Sequence, residues 1–370
     1  MDMDNILRNL PTTTPNDTKN LQILVLPGSA IYWSIIDILL FLLIVFGNVL
    51  TILAVKMSRR LRHVISNYLI MNLAISDLLV GLTLPYHLGF YFSESLNKTE
   101  ATCILRFVLI SLACCASVFN VSAIAIDRYI AIIYPFNYST FITLKVIFQI
   151  IAIGWIISIA ISTIPVYWHN FDSTSVCELG IVLPRYYVVA ILTPIFFIVW
   201  ISVLILYLKI WKETNVHMQR LKSNGVDKSN SRDRKNIQVV FLIVGCFSLC
   251  WLPYLIVACT RAFDFYKKST PIIYKITFSL VMANSGMNPM IYAWKNSNFR
   301  KAFQRLLHFQ SPNHDDFNSS LKHYLRKQSE LSGQRINNDD ISKSTQDTNL
   351  QTIYDNCTFK SNRSLEMTVL

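Results

Sequence analysis

The chain has 370 residues, 52% of them hydrophobic and only 15% charged, with a formal net charge of +12 and a mean hydropathy of +0.39. Two water-soluble domains would not carry so much apolar side chain, so the composition points to a membrane protein with several spans. The basic residues are scattered between apolar runs, which speaks against nucleic acid as a partner and for anionic lipid at the membrane surface.

Residues 1–30 are polar and lack an apolar run behind basic residues, so no cleaved signal peptide is expected and the first span acts as the targeting signal. This segment is predicted to be extracellular, with a glycosylation sequon at Asn16-Asp17-Thr18. Seven apolar runs follow, near 32–56, 67–92, 104–134, 144–168, 186–211, 237–260 and 272–294. Each is long enough to cross about 30 Å of hydrocarbon. Lys56, Arg59, Arg60 and Arg62 follow span one, a basic run from Lys209 to Lys235 separates spans five and six, and Lys295, Arg300, Lys301 and Arg305 follow span seven. Basic loops stay inside, which puts the N-terminus outside and the C-terminus in the cytosol, although Arg261, Lys267, Lys268 and Lys275 weaken the contrast. A second outer sequon lies at Asn97-Lys98-Thr99, whereas those at Asn137, Asn318, Asn356 and Asn362 fall inside and should stay bare.

Span one contains Gly47-Asn48-Val49 and span two contains Leu73-Ala74 followed by Asp77. A carboxylate between apolar turns must face the bundle interior, where Asn48, Ser117, Asn284, Ser285 and Asn288 are the candidate partners; a protonated, hydrogen-bonded aspartate is the plainer alternative. Span three begins at Cys103 and carries Asp127-Arg128-Tyr129 near its inner end, two charges too costly at that depth to be ornamental. Cys103 and Cys177 share the outer, oxidising side and are expected to pair, two free thiols being the other reading. Cys114, Cys115, Cys246, Cys250 and Cys259 read as small apolar packers. Span four centres on Trp155, span five carries Pro194, span six reads Phe247-Ser248-Leu249-Cys250-Trp251-Leu252-Pro253-Tyr254, and span seven reads Asn288-Pro289-Met290-Ile291-Tyr292. Prolines there remove backbone hydrogen bonds and supply pivots.

Residues 295–310 alternate apolar and basic positions from Phe299 to Leu307, the pattern of a short interfacial helix. Residues 311–370 are polar and expected to be disordered, with hydroxyls that can accept phosphate. The last three, Thr368-Val369-Leu370, fit a PDZ-binding terminus.

In this order across the spans, Gly47-Asn48-Val49, Asp77, Cys103, Asp127-Arg128-Tyr129, Trp155, Pro194, Cys250-Trp251-Leu252-Pro253, Asn288-Pro289-Met290-Ile291-Tyr292 and Phe299 resemble the rhodopsin-like G-protein-coupled receptors over residues 30–310. The resemblance, loosely nearest the adenosine and biogenic-amine branch, implies an all-α seven-helix bundle over 31–294. It also implies a heterotrimeric G protein as partner, and arrestin and receptor kinase acting on the tail. It makes Arg128 the cytosolic switch, caged by Asp127 and Asp233 at rest and supported by Tyr292 when active. Phe247, Trp251 and Pro253, with Asn288 and Pro289, become the relay, and Asp77, Ser117, Asn284 and Asn288 a sodium site.

Two departures from the family matter. Ser202 stands where the family has a tyrosine that reaches the switch arginine, and Tyr207, five residues further on, is off register, so active-state support is expected to be altered. Ile110 stands where amine receptors have the aspartate that pairs with the ammonium, which makes a charged monoamine an improbable ligand. Ala258 and Met282 replace the polar residues expected for adenosine, and no mid-span lysine is present for retinal. By position the pocket draws on His87, Ile110, Ser111, Cys114, Tyr186 and Tyr187 from the earlier spans. Spans six and seven add Trp251, Tyr254, Leu255, Phe278 and Met282, a mix suited to a small neutral or aromatic ligand or to a peptide. A transporter or channel is the rival class, but internal repeats and charge rings are not evident. An enzyme is not expected, since the sequence offers neither a phosphate loop nor a nucleophile with its base.

Overall fold

The structure is a computed structural model that describes residues 27–172, 177–223, 230–262 and 271–309. Its long helices are α1 (Pro27–Met57), α2 (Asn67–Phe92), α3 (Glu100–Ile133), α4 (Leu144–Ser162), α5 (Thr193–Ser223), α6 (Asn230–Ala262), α7 (Pro271–Lys295) and α8 (Ser297–Leu307). In hydrocarbon only a helix or a closed barrel pairs every backbone group within itself, and runs this apolar choose the helix. The side chains are distributed inside-out relative to a soluble protein. Leu39, Phe46, Ile156, Ile198 and Leu249 are exposed on the outer surface, while Asn48, Asp77, Asn120, Asn284 and Asn288 are buried between helices. A surface of that kind is matched to lipid rather than water.

Local chemistry sets several helix boundaries. Thr143 caps α4 by accepting the Val146 N–H at 3.3 Å. Before α5, residues Tyr187–Leu192 widen into a π-helical turn just ahead of Pro194. The proline brings no N–H to the ladder, and just before it the Thr193 N–H and hydroxyl both donate to the Val188 carbonyl, the hydroxyl at 2.8 Å. Pro253 and Pro289 sit inside α6 and α7 as the sequence predicts, and Pro85 lies inside α2 as well.

Packing between helices depends on small residues. A Cβ on Gly47 would stand 2.9 Å from Cγ of Pro289, so the bare glycine lets α1 close on the bend of α7. A polar ladder ties α2, α3 and α4: Trp155 Nε1 donates to Asn72 at 3.2 Å, Asn72 to Asn120 at 2.6 Å, and Asn120 to Ser76 at 3.2 Å. The expected bridge Cys103–Cys177 is present, with both residues buried. It ties the chain after α4 to the outer end of α3. Helix α8 buries Phe299, Ala302 and Phe303, with the Phe299 ring 5.4 Å from that of Tyr292, and leaves Arg300 and Lys301 exposed.

Candidate functional site

Three connected layers run along the bundle, from the end of α3 that carries Cys103, expected to be the outer end, to the end that carries Arg128. The outermost is a cavity of about 320 Å³ between α3, α4, α5, α6 and α7. Of the expected pocket residues, Ile110, Ser111, Cys114, Tyr187, Trp251, Tyr254, Leu255, Phe278 and Met282 line it. Two do not. Tyr186 is 75% exposed, turned off the cavity by the π-helical turn that begins at its neighbour. His87 is buried one layer behind the wall, with its ring stacked at 4.9 Å on that of Phe278. Among the described residues no charged side chain lines the cavity. The hydroxyls along the wall are largely committed to backbone carbonyls: Tyr187 donates to Ile161 at 3.0 Å, Ser122 to Val118 at 2.9 Å, Ser158 to Gly154 at 2.7 Å and Thr193 to Val188 at 2.8 Å, while Ser111 faces Cys115 at 3.9 Å.

The floor is an aromatic stack that sequence reading found only in part. Phe196 packs its ring 5.2 Å from Trp251 and 5.6 Å from Phe247, and Phe247 lies 5.9 Å from Trp251. Phe196 is two residues past Pro194, and that spacing on α5 was the available clue. The indole N–H of Trp251 is buried without a hydrogen-bond partner among the described residues, a polar handle beneath an apolar chamber.

In the middle layer Asp77 is fully buried. Ser117 Oγ donates to its Oδ1 at 2.7 Å and Asn288 Nδ2 to its Oδ2 at 2.8 Å. Asn48 bonds instead to the carbonyls of Ile44 and Ser285, at 2.9 and 3.0 Å, and so holds α1 to α7 rather than meeting the carboxylate. Asn284 and Ser285 are buried nearby. One carboxylate, hydroxyls and neutral amide oxygens form a donor set that fits a hard monovalent cation; among the described residues no cluster of three or more His, Cys, Asp or Glu could hold a multivalent one.

In the innermost layer Arg128 Nε donates to Asp127 Oδ2 at 2.9 Å, Nη2 donates to the same oxygen, and the Tyr138 hydroxyl takes Oδ1 at 2.8 Å. Asp127 is thereby saturated from two sides while buried at 3% side-chain exposure. Tyr138, the first residue of a short helix (Tyr138–Phe141) after α3, was not anticipated. Asp233 falls in α6, but its side chain is not among those described. Tyr129 packs on the cluster of Ala125, Val203, Tyr207 and Ile210.

Tyr207 corrects the expectation drawn from register. Ser202 is exposed and folds its hydroxyl back onto the Ile198 carbonyl at 2.7 Å, whereas Tyr207 is 2% exposed and points inward. Among the described residues its hydroxyl has no hydrogen-bond partner, and it is within electrostatic range of Arg128; Tyr292, whose hydroxyl likewise has no partner among them, is within range of Tyr207. Counting from Pro194 failed because the inward face of α5 runs through 203, 207 and 210.

Asn97 lies in the short helix after α2, with Nδ2 donating to the Phe90 and Ser93 carbonyls at 2.9 and 3.2 Å. A glycan on that nitrogen would displace at least one of these bonds. Asn16 and Thr368, Val369 and Leu370 lie outside the described residues.

The family model for the 7 transmembrane receptor (rhodopsin family) matches residues 47–292. The histamine H2 receptor of Cavia porcellus is 29% identical over 298 residues, 78% of this chain and 83% of its own. That of Canis lupus familiaris is 30% identical over 307 residues, 80% and 85% of the two chains. The alpha-1A adrenergic receptor of Bos taurus is 31% identical over 309 residues, covering 72% of this chain but 65% of its own, just under two thirds.

Proposed function

Because the chain belongs to the rhodopsin family of seven-transmembrane receptors and is a multi-pass G-protein-coupled receptor rather than an enzyme, we propose that its ligand enters from outside and settles on the Phe196, Phe247 and Trp251 floor. The observation that carries this reading is the continuity of the three layers: a ligand-sized cavity, an aromatic floor on the proline-bent α6, and a caged arginine at the inner end. The cavity is at the small end of small-molecule sites and nearly free of polar groups, which supports a compact ligand with an apolar or aromatic body over a peptide.

Pressure on Trp251 tilts α6 about Pro253, and the stack transmits that shift to α5 and the inner half of the bundle. Arg128 then leaves Asp127 for the G protein, and Tyr207 and Tyr292 turn their unpaired hydroxyls toward it. These are two discrete packings of one bundle, biased by whichever ligand prefers the second. Asp77, Ser117, Asn284 and Asn288 would hold a sodium ion in the resting state, supplying a charge that keeps the carboxylate ionised between α2 and α7. The basic loops support an extracellular N-terminus and a cytosolic C-terminus in the plasma membrane. Outer sequons at Asn16 and Asn97, phosphorylation of the tail by a receptor kinase followed by arrestin, a PDZ protein at Thr368-Val369-Leu370, and anionic lipid beneath α8 complete the proposal.

The direct test replaces Arg128 by Ala and compares surface staining with nucleotide exchange on a panel of G proteins during a ligand screen. Normal surface level with lost exchange is the expected result. Exchange undiminished in the variant would remove Arg128 from the mechanism.

A further inference from the structure

The outer ends of α1, α2, α3 and α7 converge on a polar cluster that the mechanism above does not use. Arg106 of α3 reaches across to α2, where its Nε and Nη2 stand 3.1 and 2.8 Å from His87 Nδ1, and its Nη1 donates to the Cys177 carbonyl at 3.3 Å. Guanidinium groups only donate, so Nδ1 is the bare nitrogen of a neutral His87 and the ring proton sits on Nε2, 3.4 Å from the Tyr91 hydroxyl. Tyr91 and Asp37 lie within interaction range of each other. The relay therefore runs in one direction, from Arg106 through His87 to Tyr91, and each group that accepts from Arg106 is neutral.

Lys275 of α7 comes to the same place, its ammonium 4.7 Å from the Tyr91 ring centroid and 5.7 Å from that of Trp33. Two acidic groups lie within electrostatic range of these cations, the buried Asp37 and the exposed Glu178. Among the described residues, neither makes an ion pair with these two cations. Both cations are half-buried. Three of the five guanidinium N–H donors of Arg106 are committed, which leaves two for an acceptor. The cluster adjoins the cavity through Phe278, which lines it and stacks on His87, and through Phe107, whose ring is 5.9 Å from the Arg106 guanidinium carbon.

We propose that this cluster is an anion site in which Arg106 and Lys275 take the carboxylate of a ligand whose apolar body fills the cavity beneath. The inference rests on the receptor reading and adds the charge of the ligand to it. A carboxylate gives these cations the directly bonded acid that Asp37 and Glu178 do not supply, and it accepts the free N–H fork with two oxygens. An ammonium head would instead meet both cations at the mouth and an uncharged wall below.

The test uses the purified full-length receptor in lipid nanodiscs and three probes of equal size, phenylbutyrate, its amide and phenylbutylamine, followed by alkyl carboxylates of similar length. Thermal melting reports binding. The acids are expected to raise the melting temperature and to bind Arg106→Gln and Lys275→Gln at least about tenfold more weakly, the loss expected for a charge-assisted bond. The amide should bind wild type and variants alike. Arg106→Gln also removes a bond to the disulfide loop, so Lys275→Gln, whose ammonium only overlies rings, is the second variant if the first fails to fold.

Stabilisation by the amine instead of the acid, equal stabilisation by acid and amide, or none by any carboxylate would overturn the proposal. Acid binding that needs Arg106 yet drives no Arg128-dependent nucleotide exchange would sink the receptor reading and leave the anion site standing. Exchange driven by uncharged ligands alone would do the reverse.

Discussion

Replacing Asp127 by Asn tests the caged switch most directly. The carboxylate takes two bonds from Arg128 and one from Tyr138, so the amide loses the charge that holds both partners. A hydrogen bond to a charged group contributes about 1.5–3 kcal/mol when buried. The Arg128 side chain is 37% exposed, so solvent screens part of this, and about 1.4 kcal/mol is a fair net value. That is about tenfold in the ratio of freed to caged receptor, enough to lift a state populated at about 1% to about 9%. Tyr138→Phe removes one bond at a half-buried hydroxyl, about 1 kcal/mol, or roughly fivefold. Both changes act on one carboxylate, so the double variant should fall well short of the product of the two effects. Ligand-independent nucleotide exchange in membranes, normalised to surface receptor, measures all three. Unchanged basal exchange in Asp127→Asn at normal surface level, or fully multiplicative effects in the double variant, would refute the caging argument.

Other substitutions probe the remaining layers. Tyr207→Phe removes a buried hydroxyl with no hydrogen-bond partner among the described residues, so the melting temperature should rise while ligand-driven exchange falls; a loss of stability would mean that the hydroxyl is paired at rest. Cys177→Ser opens a bridge closing 74 residues, worth about 4 kcal/mol by loop entropy, an upper bound because helices persist in the bilayer. Cys103→Ser should match it and the double variant should add nothing, as melting curves would show. Gly154→Ala drives a Cβ to 2.3 Å from the Phe119 ring and should destabilise by about 1–3 kcal/mol, with Phe119→Leu in the same chain restoring much of the loss. Failure of that rescue would place the strain elsewhere.

The sequence by itself determined the helices and the family motifs, because length and apolarity leave hydrocarbon-spanning segments few alternatives, whereas the Cys103–Cys177 pairing it made only expected was decided by the structure. It also determined that Asp77 faces inward, since a carboxylate at that depth has nowhere else to go. Rotation about a helix axis was not legible in it. The inward face of α5 puts Tyr207 rather than Ser202 within electrostatic range of Arg128, leaves Tyr186 exposed away from the cavity and sets Phe196 in its lining. Nor could spacing reveal that His87, Arg106, Tyr91, Asp37 and Lys275 meet, because they come from four helices whose outer ends are brought together only by packing. Local pattern fixes which residues leave water; which of them touch depends on helix rotation and crossing, and those are settled among neighbours far apart in the chain.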